Sequence, residues 1–336
     1  SCRDGPWQSQ KPAACVCGAT ARPHDVEAAG VGMSEIIDAV ERMFREKGEG
    51  RVEMPPKPGI HPRPDAFIHA MPAYIPSLRS AGMKWVSGYP QNQARGLPYI
   101  SGLIILNDPE TGLPTCVMDC TWITAMRTGA ATAVAAKYLA SKDSTTAGIL
   151  ACGVQGRANL EALACVLPLR EVKAFDIVPK AAEAFAREMG QKLGVEIAVV
   201  CEPSEAVRGS DVVVTSGPIL KHPRPVIEAG WLKEGGFASL VDFDSYWQGP
   251  ALAATDRLAT DDRQQMAYYR SAGYFQSTPE PYPDLGKIVA GKQPGRQSDR
   301  ERTMAINLGL ALDDVATAPL VVSAAREKGL GMELPL

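Results

Sequence analysis

A segment near the middle of the chain has the residue types of a phosphate-binding turn. The stretch STTAGILACGVQGR runs from an apolar strand pattern into small residues. Gly153 allows the backbone to approach a pyrophosphate closely, and Gly156 allows the following helix to pack tightly on the strand. Val154 and Gln155 lie between them, where the free N–H groups of a helix N-terminus attract anions. Ala151 stands where the first glycine is usual, which is tolerable if its φ stays negative.

An acidic residue follows this segment at the distance that a dinucleotide site requires. Asp176 closes the strand pattern EVKAFDIVP, and an acid about 20 residues after the glycine loop accepts hydrogen bonds from the ribose hydroxyls. Its charge would repel a 2′-phosphate, and Lys180 nearby weakens this preference without reversing it. We therefore expect NAD as the cofactor, with NADP not excluded. The alternative is an α/β domain that binds no nucleotide.

Two cationic residues lie in segments that are otherwise apolar. Arg127 is part of ITAMRTGAATAV, and Lys84 is part of GMKWVSG. A cation in such a segment can bind a carboxylate, and a titratable group there can move a proton. A lysine in apolar surroundings has a lowered pKa, which suits proton transfer. The alternatives are a buried structural salt bridge for Arg127 and a lysine that faces water at a sheet edge for Lys84.

The first third of the chain predicts a helix followed by an antiparallel sheet. Apolar residues recur at helical spacing up to Gly48, which we expect to end the helix. The next segment, RVEMPPKPGIHPRPD, is too rich in proline for regular structure. Strand patterns follow in AFIHAMPAYI, in SAGMKWVSGYP and in the hairpin YISGLIILNDPETGLPTCVMD.

Strands and helices alternate after Thr145. The candidate strands are TAGILA, EVKAFDI, EIAVV, DVVVTS and FASLVDF, and the segments between them have helical patterns. This alternation predicts an α/β fold with a doubly wound, parallel Rossmann sheet. The last stretch, TMAINLGLALDDVATAPLVVSAAREKG, reads as a helix so apolar that it must pack on another element.

Composition excludes several classes of partner. The 336 residues have a formal net charge of -3, with 45% hydrophobic and 22% charged residues, so we expect neither nucleic acid nor a membrane as a partner. No apolar run approaches the roughly 18 residues of a membrane span. The eight cysteines do not form a disulfide-scaffold pattern, and we expect a cytoplasmic protein without a metal site. Residues 1–25 are polar and contain prolines, which predicts a disordered tail.

Four separated blocks resemble the ornithine cyclodeaminase/mu-crystallin family. They are, in the family's order, GMKWVSGYPQNQARGLPYISGLIILNDPETGLPTCVMD, ITAMRTGAATAVAAKYLA, GILACGVQGRANLEAL and NLGLALDDVATA. The resemblance implies a homodimer with NAD(H) or NADP(H) and chemistry at the α-carbon of amino or imino acids. It also implies a Rossmann domain at residues 127–305. Residues 26–126 plus 306–336 would form an α+β substrate-binding and dimerisation domain.

The resemblance assigns roles to the cations. Arg127 would bind the substrate carboxylate, and Thr128 beside it would contact the cofactor phosphates. Lys84 would be the active-site lysine, near the carboxylate and the imine nitrogen. The segment MPPK places Lys57 where the family usually has an arginine as a second carboxylate contact, so a point charge replaces a bidentate fork. Arg51 or Arg63 nearby could substitute for it.

It also assigns a carboxylate to the reaction centre. Asp244, in FASLVDFDSYW, would reach the nicotinamide edge and handle the amine or an attacking water. Strand alternation places Asp242 on the same face, so either side chain could point inward, and we favour Asp244. The alternative for both is a helix N-cap.

Further contacts follow from the same resemblance. His69 occupies a position where ornithine cyclodeaminases tend to have a glutamate, which argues against L-ornithine as the substrate. The alternative for His69 is a half-buried strand histidine. Asn92 is a further candidate substrate contact, and Gln155 and Ser216 are expected along the cofactor.

Three functions are compatible with these residues. We favour an NAD(P)-dependent oxidoreductase that acts at the α-carbon of an imino or amino acid. The first alternative is a cyclodeaminase-type lyase, in which NAD+ removes hydride and returns it while ammonia leaves. The second is a dinucleotide-binding or accessory subunit without turnover, which the joint presence of Lys84, Arg127 and Asp244 disfavours.

Overall fold

Two β-sheets organise the part of the chain that the structure describes. A computed structural model describes residues 16–17, 23–63 and 65–332. One sheet has six strands and is mainly antiparallel, whereas the other has seven strands and is parallel. This mixed α/β architecture confirms the predicted fold class. Within these residues, no helix is long and apolar enough to cross a membrane.

The six-stranded sheet carries the first part of the chain. Its strands are β1 (Val16–Cys17), β2 (Gly59–Arg63), β3 (Ala66–Ile75), β4 (Ser80–Gly88), β5 (Ile100–Asn107) and β6 (Pro114–Asp119). Their order is β1-β6-β5-β4-β3-β2, and every neighbouring pair is antiparallel except β1 with β6. Alternate residues of β4 point to opposite faces, so Lys84 lies on the buried face with Val86.

The expectation that the proline-rich segment lacks regular structure is wrong at β2. Gly59–Arg63 pairs with β3 at the edge of the sheet, and the register shifts between Ile60 and Arg63. Proline is tolerated in edge strands and at irregularities of register, and Pro62 lies at both. This strand begins two residues after Lys57, and the Ala70 N–H on β3 donates to the carbonyl of the intervening Pro58.

The seven-stranded sheet has a doubly wound topology. Its strands are β7 (Thr146–Leu150), β8 (Glu171–Phe175), β9 (Glu196–Val199), β10 (Val212–Thr215), β11 (Phe237–Leu240), β12 (Arg257–Thr260) and β13 (Thr303–Ile306). Their order is β12-β13-β11-β10-β7-β8-β9. The chain reverses its direction of progress across the sheet at β7 and β10. In open parallel sheets, ligands bind in the crevice at the carboxyl ends of such strands.

Helices cover both sheets and connect them. They are α1 (Pro23–Ala28), α2 (Met33–Glu49), α3 (Thr121–Leu139), α4 (Val154–Val166), α5 (Pro179–Leu193), α6 (Pro203–Val207), α7 (Gly249–Ala253), α8 (Arg263–Ser271), α9 (Leu285–Val289) and α10 (Ala311–Glu327). Helix α3 packs on α2, α4 and strands of both sheets, and α10 packs on α2, α3, β3 and β4. These two helices therefore carry residues into the space between the sheets.

Two helix boundaries differ from the expectations. Helix α2 continues through Gly48 to Glu49, and its C-cap is Gly50, whose φ of 77° is the left-handed conformation that glycine adopts readily. Gly48 instead permits contact with α9, because a methyl group at its Cα would lie 2.0 Å from the Gly286 carbonyl oxygen. The residues Thr303–Ile306, expected to be helical, form β13 in the parallel sheet, and α10 begins only at Ala311.

Part of the expected tail can be located. The two residues of β1 lie beside β6, and α1 begins at Pro23. The remainder of the segment 1–25 lies outside the described residues. The predicted limits of the two domains stay a prediction.

Candidate active site

The glycine-containing turn follows β7 at the crevice of the parallel sheet. Ala151 leaves the strand with a φ of 73°, and its N–H donates to the Phe175 carbonyl at 2.9 Å. The expectation that this alanine keeps a negative φ is therefore wrong. The sharp turn that glycine usually makes is still required here, and alanine makes it in the left-handed region at a strain cost of about 1–2 kcal/mol.

The two glycines of the turn have different surroundings. A methyl group at the Cα of Gly153 would meet no atom within 4 Å, so the backbone of the α4 N-cap is open to a ligand. A methyl group on Gly156 would lie 2.5 Å from the Ala151 carbonyl oxygen, so only glycine permits this packing of α4 on β7. Val154 is 66% exposed beside the open backbone, and Gln155 is half-buried, with its carbonyl accepting a hydrogen bond from the Asn159 side chain.

Asp176 and Ser216 join the same turn from neighbouring strands. One carboxylate oxygen of Asp176 accepts from the Cys152 N–H at 2.8 Å, and the other accepts from the Val178 N–H at 2.9 Å. Ser216, which follows β10, donates from its Oγ to the Ala151 carbonyl at 2.9 Å. The structure therefore brings the predicted cofactor residues to one edge of the parallel sheet, apart from Thr128 on α3.

A second group of residues is charged and buried between the two sheets. We call it the charged cluster, and its members are Lys57, Lys84, Arg127, Asp261, Asp313 and Asp314. Its centre is Asp314 on α10, whose carboxylate lies 2.7 Å from the Lys84 Nζ and 3.1 Å from the Arg127 Nε. The Arg127 Nη1 also lies 3.3 Å from Asp313. The cluster thus joins β4, α3 and α10.

Each charge in these ion pairs depends on its partner because the pairs are buried. Lys84 is 1% exposed and Asp314 is fully buried, so each charge depends on its partner for the solvation that water would give. Burial lowers the pKa of Lys84, and the neighbouring Arg127 lowers it further, whereas Asp314 opposes the shift. For Arg127, burial alone would lower the pKa, but Asp314 and Asp313 raise it, so the guanidinium stays charged.

Lys57 belongs to the cluster but pairs differently. Its Nζ donates to the Leu308 carbonyl at 3.2 Å and lies 5.6 Å from the centre of the Tyr269 ring. Among the described residues it forms no ion pair within 4.0 Å. Burial and the charge of Arg127 lower the pKa of Lys57 to about 7.

The remaining carboxylates hold the loop between β13 and α10. Asp261 accepts from the Gly309 N–H at 2.9 Å, and Asp313 accepts from the Leu310 N–H at 2.9 Å. Burial and the charge of Asp313 raise the pKa of Asp261 to about 7. Burial raises the pKa of Asp313 to about 6, against the opposing effect of Arg127. The connection between the parallel sheet and α10 is therefore held by residues of the cluster itself.

The alternation argument for Asp242 and Asp244 is wrong, because β11 ends at Leu240. The φ of Phe243 is 63°, a left-handed turn that separates the two carboxylates. Asp242 accepts from the Thr215 Oγ1 at 2.8 Å, and burial raises its pKa to about 7. Asp244 accepts instead from the Thr278 Oγ1 at 2.7 Å, and burial raises its pKa.

Three other predicted residues lie around the cluster or outside it. Thr128 donates to the Thr124 carbonyl at 2.7 Å, one turn earlier on α3. His69 is half-buried and stacks on Phe67 with ring centres 4.3 Å apart, and burial and the charge of Lys57 lower its pKa to about 4. Asn92 lines a separate cavity of about 380 Å³ and donates to the Pro98 carbonyl, without a contact to the cluster among the described residues.

Sequence reasoning missed the anionic half of the cluster. Asp313 and Asp314 stood in the quoted block NLGLALDDVATA, but no chemistry was assigned to them. Two adjacent acids in an apolar helix are a signal of paired burial, because an unpaired carboxylate is rarely buried. Asp261 gave no comparable signal, since it is one of two acids in a polar turn.

Known proteins match this chain over nearly their whole length. Residues 20–329 match the ornithine cyclodeaminase/mu-crystallin family. One relative, the nodulation efficiency protein NfeD of Rhizobium meliloti, is 37% identical over 314 residues, which cover 91% of this chain and 95% of the relative.

Two solved structures have the same fold. One is the Δ1-pyrroline-2-carboxylate reductase of Thermococcus litoralis in complex with NADH and L-proline, with a TM-score of 0.85, 35% identity and coverage of 96% of this chain and 100% of that chain. The other is an archaeal alanine dehydrogenase dimer with bound NAD, with a TM-score of 0.83, 34% identity and coverage of 96% and 98%. The match along the sequence and the agreement in fold have one explanation: the chain is a member of the ornithine cyclodeaminase/mu-crystallin family.

Proposed function

We propose that the chain is an NAD(H)-dependent oxidoreductase that acts at the α-carbon of an imino or amino acid. The observation that carries this proposal is the convergence of Lys57, Lys84 and Arg127, three buried cations, beside a parallel sheet with an open phosphate-binding turn. Relatives that contain NADH with L-proline, or NAD in an alanine dehydrogenase, support the same class of reaction.

The turn after β7 fits a dinucleotide. The backbone at Gly153 is open, and the free N–H groups at the start of α4 suit a pyrophosphate. The carboxylate of Asp176 is fixed by two backbone N–H groups, so it can accept from ribose hydroxyls but cannot swing away from a 2′-phosphate. The cofactor, when bound, supplies or accepts a hydride, and this site favours NAD over NADP.

The charged cluster can hold the carboxylate of a small substrate. Arg127 uses its Nε and Nη1 on the two aspartates of α10, which leaves the Nη2 for a ligand. Lys84 donates to the Thr124 Oγ1 and forms an ion pair with Asp314, and Lys57 has two N–H bonds beyond its backbone contact. A carboxylate bound by these donors places the adjacent α-carbon at a fixed position.

Asp244 is a candidate proton carrier for both the oxidoreductase and the lyase alternative. Its carboxylate is buried and hydrogen-bonded to Thr278, so it can hold a proton near an amine or a water molecule. A lyase would use the same groups and would return the hydride within each turnover. Net consumption of NADH therefore distinguishes the two functions.

We propose further that the chain forms a homodimer through the outer face of the six-stranded sheet. Trp85 is 44% exposed and pairs across the ladder with Leu103, which is 39% exposed. Ile105 and Val117 lie half-buried in neighbouring strands on the same face. An exposed apolar sheet face of this kind is typical of an interface between copies, and the archaeal relative was solved as a dimer.

The experiment that tests the function follows NADH absorbance. The protein is mixed with NADH and cyclic or acyclic imino acids, and separately with NAD+ and L-ornithine, L-lysine or L-alanine, with ammonia and proline assayed in parallel. We expect net NADH consumption with an imino acid, its loss in Lys84→Met and its retention in the control Lys292→Met, whose lysine forms a surface pair with Glu49. Ammonia and proline from ornithine without net NADH change would replace this proposal with the lyase.

A further inference from the structure

We propose that Lys57, and not Lys84, donates the proton to the substrate nitrogen, with Asp261 as its positioning partner through the Leu308–Gly309 peptide. The proposal rests on the proposed reductase function and deepens it. It departs from the expectation from the sequence, in which Lys84 or Asp244 moves the proton and Lys57 contacts the carboxylate.

The two lysines of the cluster have unequal freedom to release a proton. The Lys84 ammonium lies 2.7 Å from the Asp314 carboxylate, and Lys84 is only 1% exposed. If Lys84 lost its proton, the buried charge of Asp314 would lose one of its two cationic partners. Lys57 has no carboxylate within 4.0 Å among the described residues and faces a neutral carbonyl instead. The proton of Lys57 is therefore the one that can leave without breaking a buried ion pair.

A single peptide group joins Lys57 to Asp261. The Leu308 carbonyl accepts from the Lys57 Nζ at 3.2 Å, and the N–H of the same peptide, that of Gly309, donates to Asp261 at 2.9 Å. When Lys57 is protonated and Asp261 is ionised, the cation on the carbonyl side and the anion on the N–H side polarise the peptide in the same sense, so each charge strengthens the other. This contact also restrains Lys57, because the loop is anchored between β13 and α10.

The elements packed around Lys57 contribute charged, titratable and aromatic side chains. Arg127 on α3 and Lys84 on β4 lower its pKa, whereas Asp261 after β12 and Asp314 on α10 raise it. His69 on β3 is neutral near pH 7 because its own pKa is lowered to about 4, and the Tyr269 ring on α8 lies below the ammonium. With burial as the largest effect, the pKa of Lys57 is about 7, which suits a group that must both hold and release a proton near neutrality.

Other groups near the cluster are less suited to this role. Arg127 stays charged and cannot release a proton. His69 is already neutral near pH 7 and has none to give. Asp244 is hydrogen-bonded to Thr278 and forms no contact with the charged cluster among the residues that the structure describes.

The hydride and the proton reach the two ends of the substrate C=N bond from different groups. The substrate carbon receives the hydride that bound NADH supplies, and the π electrons of its C=N bond move to nitrogen. The nitrogen forms a bond to the proton of the Lys57 ammonium as the N–H bond of the lysine breaks. The imino acid is reduced to an amino acid, NADH is oxidised to NAD+, and neutral Lys57 recovers a proton from water.

The test combines pH profiles with a direct titration. In the wild type we expect kcat/KM for imine reduction to fall as the pH rises above about 7, because Lys57 must be protonated. We call this decline at high pH the alkaline limb of the profile. In Lys57→Arg we expect kcat to fall at least 10-fold and the alkaline limb to leave the range of pH 6–9, because arginine keeps its proton. In Asp261→Asn we expect the limb to move to lower pH, because a carboxylate that raises the pKa of Lys57 is lost.

A second readout does not depend on turnover. With lysine labelled by ¹³C at the ε-carbon, the signal that Lys57→Arg lacks is assigned to Lys57 and titrated by NMR, and we expect a midpoint near neutrality that falls in Asp261→Asn. Wild-type turnover together with an unshifted limb in Lys57→Arg, or with unchanged kcat and a raised KM, would restrict Lys57 to carboxylate binding and overturn the proposal. Absence of NADH consumption by the wild type with every imino acid would instead overturn the proposed function, and this role with it.

Discussion

Replacement of Asp314 by asparagine tests whether one carboxylate holds both site cations. The side chain keeps its size and one oxygen, but the charge between Lys84 and Arg127 is lost. Both cations are almost fully buried, so neither gains water in compensation. Removal of one partner from a buried ion pair costs about 3–5 kcal/mol. We therefore expect Asp314→Asn to lower the free energy of unfolding by about this amount.

Asp313→Asn is the matched control, because the two aspartates are adjacent on α10. Asp313 contacts only one of the two cations, at 3.3 Å, and its raised pKa of about 6 shows that its charge is already costly in the folded chain. Its other contact is the hydrogen bond from the Leu310 N–H, of a kind worth about 0.5–2 kcal/mol. The cost of Asp313→Asn should therefore be less than half that of Asp314→Asn.

The assay is equilibrium denaturation in urea at pH 7, followed by tryptophan fluorescence and circular dichroism, with kcat/KM measured on the same preparations. Loss of the bridge should lower kcat/KM as well, because Lys84 and Arg127 no longer hold their relative positions. Equal costs for the two variants, or a cost below about 1 kcal/mol for Asp314→Asn, would refute the bridging role.

Two further changes test the turn and the interface. Ala151→Gly should leave the free energy of unfolding within about 1 kcal/mol of the wild type, because relief of left-handed strain offsets the added entropy of the unfolded chain. Ala151→Val should lower it by about 1–3 kcal/mol in the same urea titration, and a tolerated valine would contradict the positive φ. Trp85→Glu should convert a dimer to monomer in sedimentation velocity, whereas Val199→Glu at the edge of the parallel sheet should not; a dimer that survives Trp85→Glu contradicts the proposed interface.

The alternating elements of the parallel sheet could be predicted from the sequence because their signals are local. A strand of four or five residues, a turn and an amphipathic helix each leave a pattern within about 20 residues. The position of Asp176 followed from the same local spacing, and the structure places it at the turn. The φ of Ala151 could not be predicted, because alanine adopts negative values unless surrounding structure imposes another. Here the hydrogen bond to the Phe175 carbonyl is part of that structure.

The contacts within the charged cluster could not be predicted from local sequence patterns. Arg127 and Asp314 are separated by 187 positions, and Lys57 and Leu308 by 251. Sequence reasoning identified the cations because a charge in an apolar segment is conspicuous by itself. It did not identify their partners, because the choice of partner depends on how α10 returns to the six-stranded sheet.

The path of the chain from β13 to α10 gives the two lysines of the cluster different partners. The loop places the Leu308–Gly309 peptide between Lys57 and Asp261, and the start of α10 places Asp314 between Lys84 and Arg127. Lys84 is thereby paired with a buried carboxylate, whereas Lys57 faces a neutral carbonyl group. A carboxylate clamp needs charges that persist, and a proton donor needs a charge that can be lost. Two lysines in one cluster can therefore meet both needs, because α10 and the loop before it give them different partners.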